Sequence, residues 1–151
     1  MFKKIVLDSC VFCKLFLQEP DRQQAINLMN MLIEQSYEII EPSLFLYEVL
    51  AVAKMSHFPA LTMYELILEL QKNQLQLVEL ERSDVEKTLE ICEMGHAKSG
   101  FPSFYDASYH ALAIHHVCYF VTADQRHFSK TWQLGHVILL NDWEKHLLTT
   151  H

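Results

Sequence analysis

The chain has 151 residues, 50% apolar and 21% charged, enough for one compact domain with a sizeable core, which excludes intrinsic disorder. Three glycines and four prolines are too few for the tight turns of an all-β sandwich. No apolar run approaches the ~20 residues that span a bilayer, and a net charge of −7 argues, taken alone, against a nucleic-acid partner.

The opening MFKKIVLDSCVF has two lysines but an apolar stretch too short for a secretory signal, so a cytoplasmic protein is expected. Lys4–Asp8 predicts a strand of the continuously apolar kind, buried on both faces. Asp21, with Gln24 three residues on, predicts the start of a helix to Ser36, with Ala25, Leu28, Met29, Leu32 and Ile33 at helical spacing. Glu38–Glu41 predicts a short strand, and Pro42 opens a helix over about Ser43–His57. Thr62-x-x-Glu65 reads as a capping box for a helix to about Asn73, and Gln76–Leu80 alternates like a strand. Ser83-x-x-Glu86 reads as a second capping box, for a helix to about His96. After a polar break at Ala97–Pro102, a helix is expected from Phe104 to His116. Cys118–Thr122 and Val137–Leu140 are the last strands, separated by a short helix around Phe128–Trp132, with another after Asp142. Strands separated by helices imply parallel pairing, hence an α/β, three-layer α/β/α sandwich with a mainly parallel sheet of about five strands, in one domain over 1–151.

In such folds the functional site lies at the carboxyl ends of the strands. Asp8 ends the first strand and Asp124 follows CYFVT. Glu48 lies in the otherwise apolar run from Leu44 to Ala53, and Asp106 in the first turn of its helix. Each aspartate also reads as a helix cap or first-turn acid, and Glu48 as one partner of an ion pair, for example with Lys54. Four carboxylates pooled at one sheet end, however, repel unless hard cations neutralise them, which points to Mg²⁺ or Mn²⁺. Cys10 and Cys13 leave three readings: structural thiols, which reducing conditions favour, a redox pair, or half of a metal site that lacks a second close pair.

With these residues in place, the sequence resembles a PIN domain, the nuclease fold of VapC-type toxins. Val6-Leu7-Asp8 resembles the family's first-strand acid and Leu46-Tyr47-Glu48-Val49-Leu50 its helical Glu. Tyr105–Ala113 (YDASYHALA) resembles the segment bearing the third acid, and Thr122-Ala123-Asp124-Gln125-Arg126-His127-Phe128 the fourth. The resemblance implies a Mg²⁺- or Mn²⁺-dependent endoribonuclease in which Asp8, Glu48, Asp106 and Asp124 hold the metal. Ser9 and Thr122 would support them or contact phosphate, and Arg126 would contact phosphate. It also implies a homodimer, a small antitoxin partner received by helices within Ala25–Leu75, and no membrane. One departure stands out: Cys10 occupies a position where the family usually carries Asn or Ser, and a thiol is the weaker hydrogen-bonding group.

Lys14, Lys54, Lys98, Arg126 and Lys130 read mainly as a solvated face. His110, His115 and His116 share a helix without a zinc pattern, and His136, His146 and His151 read as surface. Tyr47, Tyr105 and Tyr109 flank the acids and read as packing rather than base stacking. A thiol–disulfide enzyme built on Cys10 and Cys13, or a silent PIN-fold interaction module, remain alternatives. Setting the four acids aside moves the net charge from −7 to −3, so part of the acidity marks a cation pocket rather than excluding RNA.

Overall fold

A computed structural model describes residues 3–148, so His151 lies outside the described residues. Its elements run β1 (Lys4–Leu7), α1 (Ser9–Cys13), α2 (Arg22–Glu34), β2 (Glu38–Pro42), α3 (Leu44–Met55), α4 (Ala60–Gln71) and β3 (Leu75–Val78). Then follow α5 (Arg82–Cys92), α6 (Phe104–His115), β4 (Tyr119–Thr122), α7 (Gln125–Thr131), β5 (Val137–Leu139) and α8 (Trp143–Leu147). Single 3₁₀ turns lie at Trp132–Leu134 and Leu140–Asp142. The five strands form one all-parallel sheet in the order β3-β2-β1-β4-β5, in agreement with the expected α/β architecture. No helix among the described residues is long and apolar enough to cross a membrane.

The central strand is the most apolar. Ile5, Val6 and Leu7 are fully buried, with Ile5 beside Ile39 on one flank and Tyr119 on the other. Each such side chain contributes about 1.5–3 kcal/mol. Ala107 and Ala111 pack α6 against Ile91 of α5, while Tyr109, Leu112 and Ala113 join the main core where α6 lies over β1, β2 and β4. Tyr109 stacks on Phe120 at 5.7 Å, and Phe12 meets Phe45 edge-on at 5.3 Å, joining α1 to α3.

Several helix boundaries differ from expectation. The helix predicted from Thr62 starts at Ala60 with Pro59 as its N-cap, because proline fixes the extended entry without a side-chain cap. The predicted box Ser83-x-x-Glu86 is instead Glu81 with Asp84, two residues earlier. Asp21 occupies its N-cap position but makes no cap bond; its carboxylate accepts from Lys14 at 2.9 Å. α2, α3 and α6 end one or two residues early, where Ser36, His57 and Val117 turn left-handed. Tyr37, Phe58 and Cys118 then donate back to Leu32, Ala53 and Ala113, closing each helix with a Schellman bond.

The chain builds β1, β2 and β3 outward in one direction, then crosses to add β4 and β5 on the other side. With right-handed crossovers the connecting helices change face between those two halves, leaving a crevice beyond the carboxyl ends of β1 and β4. Asp8 follows β1 directly, and Asp124 lies two residues beyond β4.

Candidate metal centre

Asp8 is 5% exposed and caps α1, its Oδ1 accepting from the Cys10 amide at 3.2 Å. Its Oδ2 accepts from the Thr122 hydroxyl at 2.8 Å. Thr122 Oγ1 in turn accepts from the Asp124 amide at 3.0 Å, so one buried threonine joins the ends of β1 and β4. Asp124 caps α7, with Oδ1 accepting from the amides of Arg126 at 2.9 Å and His127 at 3.1 Å.

The other two acids come from helices. Glu48 projects from α3, and its Oε1 accepts from Ser9 Oγ at 3.1 Å and from the Tyr109 hydroxyl at 2.6 Å. Asp106 sits in the first turn of α6, its amide donating to the N-cap Ser103 Oγ at 3.1 Å. Asp8, Ser9, Cys10, Lys14, Glu48, Asp106, Ala123 and Asp124 line one open cleft. The structure thus brings all four sequence-selected acids and Ser9 to one place, with Thr122 buried directly behind.

None of the four acids forms an ion pair with a basic side chain of the described residues. The repulsion in this arrangement acts on Asp8 and Asp106. Burial, reinforced by the negative charge of Glu48, pushes the Asp8 carboxyl up despite the Thr122 and Cys10 hydrogen bonds. Burial and the charges of Asp8 and Asp124 push Asp106 up to about 6. An all-oxygen set of uncompensated carboxylates suits a hard divalent cation such as Mg²⁺ or Mn²⁺.

Sequence reasoning passed over Glu41. It is fully buried at the end of β2, with Oε1 accepting from the Leu7 amide at 2.7 Å and Oε2 without a partner. Burial foremost, then Asp8 and Glu48, pushes its carboxyl well above the usual range and disfavours its charged form. Its signal was the second acid of the strand EIIEP, just before Pro42, which reads equally as a strand end facing solvent.

Among the five basic candidates, Lys14 alone lines the cleft; it is 6% exposed and not part of a solvated face. Arg126, the residue expected to contact phosphate, has an exposed side chain outside the cleft lining, because α7 commits its amide rather than its side chain to Asp124. Tyr109 is buried as expected, but Tyr47 and Tyr105 are 70% and 61% exposed, because positions preceding Glu48 and Asp106 on their helices turn outward. His136 is half-buried, its Nδ1–H donating to Cys118 O at 3.0 Å, and His146 is exposed. His110 and His127 form a buried pair at 3.1 Å.

All four cysteines are free thiols. Burial, with Asp8 next, pushes the Cys10 thiol up and that of Cys13 to about 12, the opposite of an activated redox pair. Among the described residues, the compact set with ligand atoms all within 4.8 Å of one another is Glu81, Asp84 and His115, away from the cleft. Glu81 and Asp84 cap α5 reciprocally, and His115 bonds Asp84 at 2.6 Å, so helix capping accounts for that cluster.

A family model for the PIN domain matches residues 5–132. FitAcB from Neisseria gonorrhoeae shares the fold with a TM-score of 0.65 and 16% identity, covering 95% of this chain and 99% of that one. VapBC2 from Rickettsia felis, bound to a DNA fragment from its promoter, gives 0.63 and 17% over 90% and 96%. A toxin–antitoxin complex from Klebsiella pneumoniae gives 0.62 and 14% over 90% and 97%. No curated protein matches the chain in sequence.

Proposed function

The chain belongs to the PIN-domain family, and from that premise we propose that it is a Mg²⁺- or Mn²⁺-dependent endoribonuclease, the toxin of a toxin–antitoxin pair. The observation that carries this reading is the cleft itself, in which four carboxylates from four chain segments meet without an ionic partner. In this reading Asp8, Asp106 and Asp124 bind the metal directly, and Glu48 acts through water or as a base. Bound there, the cation supplies Lewis-acid activation of water and of the scissile phosphodiester and stabilises charge on the leaving oxygen.

The chain's own part is preorganisation. Thr122 fixes the Asp8 carboxylate while receiving the Asp124 amide, so the ends of two strands hold one spacing. Ser9 and Tyr109 orient Glu48 with two donated bonds, which leaves Glu48 able to receive a proton only at its second oxygen. Partners follow from exposed apolar residues on α3 and α4, among them Tyr47, Met55, Leu61 and Leu66. That surface suits a second copy of the chain and an antitoxin, and the structural relative from Klebsiella is a toxin–antitoxin complex by description.

RNA cleavage with Mg²⁺ or Mn²⁺, with EDTA, and with Asp8→Asn and Asp106→Asn tests the reading. Cleavage is expected only in the wild type with metal. Cleavage persisting in EDTA, or in both variants, would sink it.

A further inference from the structure

We infer that Lys14 is the phosphate-binding residue of the cleft, its ammonium contacting a non-bridging oxygen of the RNA backbone, an assignment that rests on the nuclease reading above. A polyanion entering a cleft of four carboxylates needs a cation from the protein as well as from metal. Lys54, Lys98, Arg126 and Lys130 are absent from the cleft lining; Lys14 is present. It closes α1, the helix that Asp8 caps at its other end. Since that helix advances about 1.5 Å per residue, the two residues stand roughly 9 Å apart along one rigid element.

The setting of Lys14 is also unlike that of a simple strut. Its ammonium is held by Glu19 Oε2 at 3.0 Å and Asp21 Oδ1 at 2.9 Å, both in the connection from α1 to α2. An ammonium carries three donors, and two are used here; the third has no acceptor among the described residues. The two carboxylates fix the position of a buried charge that would otherwise be expelled, and they leave it one donor for a ligand. Glu19 and Asp21 are therefore positioning residues, and Lys14 is the group that meets substrate.

The experiment follows the salt dependence of kcat/KM on a single-stranded RNA oligonucleotide cut by the wild type, for wild type, Lys14→Met and Lys14→Arg. Lys14→Met is expected to lower kcat/KM about 10- to 100-fold, the usual loss for a hydrogen bond from a charged group. It should also flatten the slope of log kcat/KM against log salt by about 0.7, one phosphate contact on a single strand. Lys14→Arg should retain the wild-type slope. A Lys14→Met protein that cleaves like wild type, or loses activity with the slope intact, overturns the assignment while leaving the nuclease standing. If the wild type cuts no RNA with Mg²⁺ or Mn²⁺, the nuclease reading fails and Lys14 with it. If Lys14→Met does not fold, Asp21→Asn decides, since the asparagine Oδ1 still accepts from the Lys14 ammonium while the charge that fixes it is gone. Loosening Lys14 should lower kcat/KM several-fold with the salt slope kept, and an unchanged or higher value overturns the proposal.

Discussion

Metal-free protein should be stabilised by destroying its own site, and Asp106 gives the cleanest measure. Burial and the charges of Asp8 and Asp124 raise its carboxyl from 3.8 to about 6. The folded state therefore holds that proton to higher pH than the unfolded chain. Its contribution is present below about pH 4 and is lost as pH rises towards 6. Two units correspond to about 3 kcal/mol as an upper bound. The side chain is only partly buried, so solvent screening reduces this, and Asp106→Asn forfeits about 0.3–1 kcal/mol of helix-dipole interaction. A net gain of about 1–2 kcal/mol remains, or about 2–8 °C in Tm for a chain of this size. Thermal melts in EDTA at pH 7.5 should show Asp106→Asn above wild type, with the gap closing at pH 4.5 and reversing when Mg²⁺ is added to both. An Asp106→Asn protein that melts below wild type in EDTA at pH 7.5 would refute the account of a repulsive, cation-seeking cleft.

Four further outcomes are expected. Val117→Gly should raise Tm by about 1–4 °C, because a β-branched residue at φ 52° and 80% exposed bears about 1–2 kcal/mol of left-handed strain, offset in part by glycine's entropy. Glu41→Gln should melt at or near the wild-type temperature at pH 7, since it keeps the acceptor for the Leu7 amide and removes a carboxyl whose charged form burial disfavours; a loss of more than about 2 kcal/mol would contradict this. His127, whose pKa is lowered to about 4 by burial and then by His110, binds protons only in the unfolded chain between pH 6.5 and 4, so stability falls as pH drops through that window; an NMR titration midpoint near 6.5 would contradict this. Asp124→Asn and Asp124→Ala should both abolish Mg²⁺-induced stabilisation, but only the alanine variant should lose a further ~1 kcal/mol in EDTA melts, because it alone loses the cap of α7.

The sheet was legible because its strands are apolar on both faces, a pattern that leaves few alternatives for KIVL or YFVT. The positions of Asp8 and Asp124 followed from strand ends alone. Helix ends were less legible, since the chain stops α2, α3 and α6 with Ser36, His57 and Val117 in conformations usually announced by glycine. Its N-caps at Pro59 and Glu81 likewise lie outside the favoured set of Ser, Thr, Asp and Asn. Lys14 reads as solvated in the sequence for a different reason: the acidic partners that hold it follow five and seven residues later in an irregular connection, where no periodicity links them. Glu41 escaped notice because burial at the end of β2 depends on α6 crossing above it, a contact between segments more than sixty residues apart.

Capping and cation binding, which compete as explanations when only the sequence is read, occupy different atoms of the same side chains. In Asp124, Oδ1 takes both α7 amides, and Oδ2 makes no hydrogen bond among the described residues. In Asp8, Oδ1 caps α1 while Oδ2 is held by Thr122, a neutral donor that leaves lone pairs and the full charge in place. The cap bonds fix each carboxylate's rotamer before any ligand arrives, so the ordering entropy of those side chains is spent in folding rather than in binding. A carboxylate pinned by one oxygen cannot swing away from its neighbours to relieve repulsion. The same bonds that stabilise two short helices therefore keep the cleft's charge concentrated, and they tie its demand for a cation to the geometry of the fold.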